Sequence, residues 1–130
     1  MGNPIARADG ICMAFPDICN TPAGTSMVPM PYPNIAQLAD ATGTASTVTA
    51  GGKAVILKSS EIPTSSGDEA GSGGGVTSGT TAGKCTFTQA STTVFADGEA
   101  VVRQLDPTSQ NNNNAQGQVM VGLPTVLVGG

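Results

Sequence analysis

The feature that most constrains this chain is its density of helix-breaking residues. Its 130 residues include 18 Gly and 9 Pro. In a helix interior each Gly costs roughly 1 kcal/mol and each Pro roughly 3 kcal/mol relative to Ala. Six prolines (Pro4, Pro16, Pro22, Pro29, Pro31 and Pro33) fall within residues 1–34. From Met27 to Asn34 proline alternates with other residues, and a residue before proline is driven to β or polyproline geometry. Residues 1–34 are therefore expected to be extended and, lacking donors, to lie on a surface or a sheet edge. The only plausible helical turn is at residues 35–42. One domain spanning 1–130 is the expectation from length, all-β with long Gly- and Pro-rich loops.

The core must be aliphatic, because Trp is absent, Tyr occurs once and Phe three times. Hydrophobic residues at 38% and a net charge of only −4 argue for an ordered chain, since disorder pairs low hydrophobicity with high charge. An internal repeat carries the ordering. Thr47-Val48-Thr49-Ala50-Gly51-Gly52-Lys53-Ala54-Val55 and Thr93-Val94-Phe95-Ala96-Asp97-Gly98-Glu99-Ala100-Val101 share T-V-x-A-x-G-x-A-V at an offset of 46 residues (Thr47 to Thr93). Each reads as strand, turn, strand, with Gly51-Gly52 and Asp97-Gly98 supplying the positive φ of a tight hairpin. A third copy begins at Thr125-Val126 and runs to Gly130. Hairpin units are thus expected near 47–58, 93–105 and 125–130, with Val48, Val55, Val94, Val101 and Val126 facing inward. Residues 84–90 alternate like a strand. The Gly-rich stretch 65–76 reads as a loop, and the Asn run 111–114 as a solvated connection.

Chemistry is sparse. The chain has no His, which removes the commonest general base. Ser78-Gly79-Thr80-Thr81-Ala82-Gly83-Lys84-Cys85 nearly matches a phosphate-binding loop but has Ser and Cys where Gly and Ser or Thr belong. Asp68-Glu69 reads as a solvated loop rather than an acid/base pair, because adjacent residues of an extended chain diverge. No enzymatic activity is expected. Five Lys and Arg against nine Asp and Glu argue against nucleic acid or an anionic membrane as a partner. No secretory signal is visible, and no run reaches the ~20 apolar residues of a membrane span, so synthesis in the cytoplasm and no stable membrane insertion are expected. Cys12, Cys19 and Cys85 leave three readings open: thiolate ligands of a zinc ion, buried free thiols, or a Cys12–Cys19 bridge in oxidising surroundings.

Four blocks resemble a known family. Ile11-Cys12 with Pro16-Asp17-Ile18-Cys19-Asn20-Thr21-Pro22 is similar to the opening of the PAAR-like spike-tip family. Pro29-Met30-Pro31-Tyr32-Pro33-Asn34-Ile35-Ala36 resembles its PxPYPNxA signature. Ser66-Gly67-Asp68-Glu69-Ala70-Gly71 with Gly73-Gly74-Gly75-Val76 resembles its GDE loop, and Ala100 to Asp106 its closing strand. The resemblance implies a small β-cone of pseudo-threefold character. It implies a structural role as well: capping and sharpening the trimeric, VgrG-like spike of a contractile injection system, such as type VI secretion or a phage-tail-like particle. One cap per trimer would aid membrane puncture and delivery of effector cargo, loaded inside the cell and delivered outside it or into a target cell. Met27, Pro29, Met30, Pro31, Tyr32 and Pro33 are the expected spike contacts. Where the resemblance implies His, this chain holds Gln104 and Gln110, so zinc would need Cys85 as a substitute ligand beside Cys12 and Cys19. The chain stops after the third copy, which reads as a stand-alone cap. A small secreted adhesive or ligand-binding β-domain is the alternative.

Overall fold

A computed structural model describes residues 2–129; Gly130, the last residue of the third expected unit, lies outside them. In chain order the strands are β1 (Asn3–Ile5), β2 (Ile11–Ala23), β3 (Ser26–Gln37), β4 (Thr49–Ala50), β5 (Lys53–Ala54), β6 (Glu61–Ile62), β7 (Gly74–Gly75), β8 (Cys85–Phe87), β9 (Phe95–Ala96), β10 (Glu99–Ala100), β11 (Pro107–Gln110), β12 (Ala115–Val119) and β13 (Leu123–Val128). The fold is all-β. Helix among the described residues is a single 3-10 turn, Leu38–Asp40; residues 35–37, expected to begin a helix, instead end β3.

The repeat is real at the level of hydrogen bonds. β4 and β5 pair as Thr49 with Ala54 and Ala50 with Lys53. β9 and β10 pair in the same register, Phe95 with Ala100 and Ala96 with Glu99. Both turns take positive φ at their two central residues, 57° and 83° at Gly51-Gly52 and 51° and 83° at Asp97-Gly98. The third unit is not a hairpin. β13 pairs antiparallel with β1, Asn3 opposite Val128, so its two strands come from opposite ends of the sequence.

The units close around a pseudo-threefold axis. Ala6 N–H donates to Val102 O, Val102 N–H to Ile56 O, and Ile56 N–H back to Ala6 O, at 3.0, 3.0 and 3.1 Å. A second set repeats the relation: Ala8 to Ala54, Lys58 to Ala100 and Gln104 to Pro4. Inside the ring, Ile5, Ala50, Val55, Ala96, Val101 and Val128 form one apolar cluster with Ala45 and Leu57. Full burial of an aliphatic side chain such as Val55 or Val101 contributes ~1.5–3 kcal/mol. The inward residues of the first strands are therefore Ala50, Ala96 and Val128. Val48 and Val126, expected inside, are exposed, while Val94 is half-buried and packs against the margin of this cluster; the residues two positions further along, Ala50, Ala96 and Val128, are the fully buried ones.

The segments between the units build a second body, a seven-stranded sheet of order β3-β2-β12-β11-β8-β6 with β7 also on β2. Its core holds Cys12, Ala36, Leu38, Ile62, Cys85, Phe87 and Val119. β2 and β3 form the longest hairpin, turning at Gly24 with φ 65°. A bulge on β2 between Ala14 and Asp17 carries a cis Phe15–Pro16 bond. As expected of a proline-rich segment, β3 is a sheet edge. The outward-facing backbone position Ile35 bridges Ser66, and alternation places Pro29, Pro31 and Pro33 outward on the same edge. That edge lacks three donors.

Candidate functional site

Beyond the β2 bulge, Asp17 and Cys19 occupy alternate positions and so share the inner face of the sheet. Tyr32 and Met30 lie opposite them on β3. Two loops cover this face. The first is the Gly-rich segment after β6, in which Asp68 is fully buried rather than solvated as its sequence suggests. Gly71 and Gly75 let this backbone approach: a Cβ at Gly71 would overlap the Cys19 Cβ, and one at Gly75 would overlap the Asn114 amide. The second is the β11–β12 turn. Asn111, Asn112 and Asn113 take φ of 49°, 54° and 74°, a left-handed run that Asn tolerates better than most residues. The turn is solvated only in part: Asn112 and Asn113 are exposed, as the sequence suggests, but Asn111 is 0% exposed.

The turn delivers two amides to one carboxylate. Asn114 Nδ2 donates to Asp17 Oδ1 at 2.5 Å and Asn111 Nδ2 at 3.2 Å; Cys19 Sγ lies 3.6 Å from the same oxygen. Asp68 Oδ1 accepts from Ala82 N at 2.9 Å and its Oδ2 from Asn34 Nδ2 at 3.3 Å. Asn34 Oδ1 accepts from Gln110 Nε2 at 2.8 Å, and Gln110 Oε1 from Thr108 Oγ1 at 2.8 Å. Gln110, where the family resemblance implied His, is thus a buried linker of this network. Asp17 Oδ2 is buried with no partner. One ligating atom each from Asp17, Cys19 and Asp68 lies within 4.8 Å of the others.

The electrostatics follow from burial. Desolvation, then the neighbouring Asp17 carboxyl, pushes Asp68 up to about 6. Burial, followed by the charges of Asp17 and Asp68, pushes the Cys19 thiol up to about 12. None of the ion pairs among the described residues, Arg7–Asp9, Lys84–Glu61 and Arg103–Asp106, involves Asp17 or Asp68.

The three cysteines separate. Cys12 and Cys85 sit together in the sheet core, and the Cys12 thiol is pushed up first by its hydrogen bond with Cys85 and then by burial. Cys19 belongs to the Asp17–Asp68 group. Cys12 and Cys19 lie seven positions apart on one strand, roughly 20 Å at the rise of extended chain, whereas a disulfide needs Cα atoms within about 7 Å. All three are free. The expected contact residues Met27, Pro29, Met30, Pro31 and Pro33 line the exposed outer part of β3, with Met27 53% and Met30 45% exposed. Tyr32 is half-buried, its hydroxyl 2.7 Å from Thr21 Oγ1.

Residues 10–117 match the family model described as the toxin PAAR-like domain. The chain belongs to that family. The DNase toxin Tse7 of Pseudomonas aeruginosa is 37% identical to this toxin PAAR-like chain over 115 residues, which is 83% of this chain and 30% of the toxin. The chain thus spans less than a third of that relative's length. No solved structure matches it. The relative corrects one expectation. A purely structural, non-enzymatic reading does not stand beside a relative named a DNase toxin, and the composition-based exclusion of nucleic acid loses force for the same reason. No helix of the described residues is long and apolar enough to cross a membrane.

Proposed function

We propose that this toxin PAAR-like domain caps the trimeric, VgrG-like spike of a type VI or related contractile injection system, one chain per trimer, and that it travels with a toxin into the target cell. The observation that carries the reading is the ring of backbone hydrogen bonds linking Ala6, Ile56 and Val102. A single chain with three near-equivalent units suits a threefold partner. The units carry exposed apolar side chains at related positions, Phe95 with Leu127 and Val48 with Val126. The exposed Met27, Pro29, Met30, Pro31 and Pro33, with Tyr32, are the further proposed contact. Methionines adapt to irregular partners, and the prolines make the segment stiff before binding, so little ordering entropy is lost. The missing donors mean that this edge engages through side chains and carbonyls rather than by adding a strand.

Light scattering of the chain mixed with candidate spike trimers tests the reading. One chain per trimer is expected, weakly dependent on salt because few charges are available for steering. Met27→Glu with Met30→Glu, and separately Phe95→Glu with Leu127→Glu, should weaken the complex. Three chains per trimer, or no complex with several cognate spikes, would overturn it.

The relative's name supports a second part of the proposal: a DNA-degrading activity accompanies the tip. Plasmid incubated with the purified protein and magnesium should be nicked. Intact plasmid across several divalent metals would remove this part while leaving the cap reading in place.

A further inference from the structure

We propose that Asp17, Cys19 and Asp68 form a buried divalent-metal site, best suited to zinc, that ties the β2–β3 hairpin to the Gly-rich loop. Two observations carry it independently of the spike reading. The first is the convergence of one thiol and two carboxylates within 4.8 Å. The second is Asp17 Oδ2, fully buried and without a partner, where burial of an unsatisfied polar atom is costly.

The surrounding hydrogen bonds favour ionised carboxylates. Asn111 Oδ1 is held by Gly83 N at 2.9 Å, and Asn114 Oδ1 by Thr77 N at 2.8 Å. Their amide nitrogens must therefore face Asp17. Asn34 is oriented in the same way by Gln110, and so presents its amide nitrogen to Asp68. Each of these neighbours is a donor, which is the environment of two ionised carboxylates. Two buried negative charges whose hydrogen-bond partners include no Lys or Arg call for a compensating cation.

The donor set fits zinc, which accepts thiolate sulfur at about 2.3 Å and carboxylate oxygen at about 2.0–2.2 Å. Ligands of a tetrahedral ion then stand about 3.3–3.8 Å apart, so the group closes by roughly 1 Å of side-chain adjustment. The Asn amides act as the outer layer that orients Asp17 and leaves its second oxygen for the ion. Binding displaces the thiol proton, and a water or a second carboxylate oxygen completes the shell. The assignment differs from the three-cysteine set, since Cys12 and Cys85 take no part.

The test uses the whole chain, expressed with zinc and purified without chelator. Elemental analysis should give about one zinc per chain, and a strong chelator should lower the melting temperature, because a structural metal contributes directly to folding. Cobalt substitution should give a thiolate-to-cobalt charge-transfer band. Cys19→Ser should abolish the band and cut bound metal about tenfold, while Cys12→Ser and Cys85→Ser keep both. Less than about a tenth of an ion per chain with no cobalt band, or a band that survives Cys19→Ser and disappears in Cys12→Ser, would overturn the site. In the first case a proton shared by Asp17 and Asp68 takes the place of the metal.

Discussion

Asp68 and Asn111 sit in stretches whose composition reads as solvent-facing, yet both are fully buried. The signal that was available is conformational rather than hydropathic. A run of Asn is one of the few non-glycine ways to sustain left-handed backbone, and such a turn can aim several amides at one point. What the sequence withholds is the target, because Asp17 lies 94 positions from Asn111. Removing the donor should be expensive. Asn111→Ala leaves the Gly83 N–H without its acceptor and removes one of the donors to Asp17 Oδ1 and to Thr80 O, and should destabilise the chain by about 1–3 kcal/mol, given the cost of stranding buried polar groups, as read by urea denaturation. Asp68 also sets a pH dependence in the metal-free chain. Its folded value is raised from 3.8 to about 6, so the native state holds the proton more tightly than the unfolded state between those values. The stabilisation is therefore complete below the lower value and is lost as pH rises through the upper one. Melting temperature should fall from pH 4 to pH 7, and Asp68→Asn should flatten that slope. A metal-free chain whose stability climbs over this interval would contradict the assignment.

At the scale of elements, legibility tracked the range of the interaction. The hairpin β4–β5 and its counterpart β9–β10 were readable with register, because Gly51-Gly52 and Asp97-Gly98 state their turn type locally. The depth along the strand was less legible: Val94 packs against the core as its pattern suggests, but its counterparts Val48 and Val126 are exposed, and Ala50, Ala96 and Val128, two positions on, fill the interior. The edge position of β3 was legible for a physical reason, proline having no donor to give. Its periodicity says more than its mere presence. With Pro29, Pro31 and Pro33 on alternate residues, every missing donor falls on the free side and none on the side bonded to β2. The edge is thereby protected against pairing with another chain. Replacing all three by Thr restores the donors and should cause concentration-dependent self-association in light scattering, with the hairpin itself intact by circular dichroism. A variant that stays monomeric would mean that something other than proline blunts the edge.

At the scale of the whole molecule, the third unit was the least legible, because its strands are joined only in space. Asn3 pairs with Val128 and Pro4 with Leu127, a separation no local pattern reports. The hydrogen-bond ring nonetheless makes Ile5, Val55 and Val101 equivalent. Ile5→Ala, Val55→Ala and Val101→Ala should therefore each destabilise by about 2–4 kcal/mol, in the range of aliphatic core truncations. The same equivalence makes the point of chain entry interchangeable. If β13 and β1 together are one hairpin without its turn, then joining residue 130 to residue 1 through a short Gly-rich linker and opening the chain between Gly51 and Gly52 only moves the gap from one unit to the next. The new first strand, β5, would pair with the new last strand, β4, as β1 pairs with β13. Both glycines are exposed at the turn, where opened chains are best tolerated. The permuted protein should keep the β-type circular dichroism spectrum and its affinity for zinc, since Asp17, Cys19 and Asp68 lie in the sheet body away from the opened turn. A permutant that loses its spectrum while the Gly51-Gly52 turn tolerates simple insertion of two residues would show that the three units are not interchangeable.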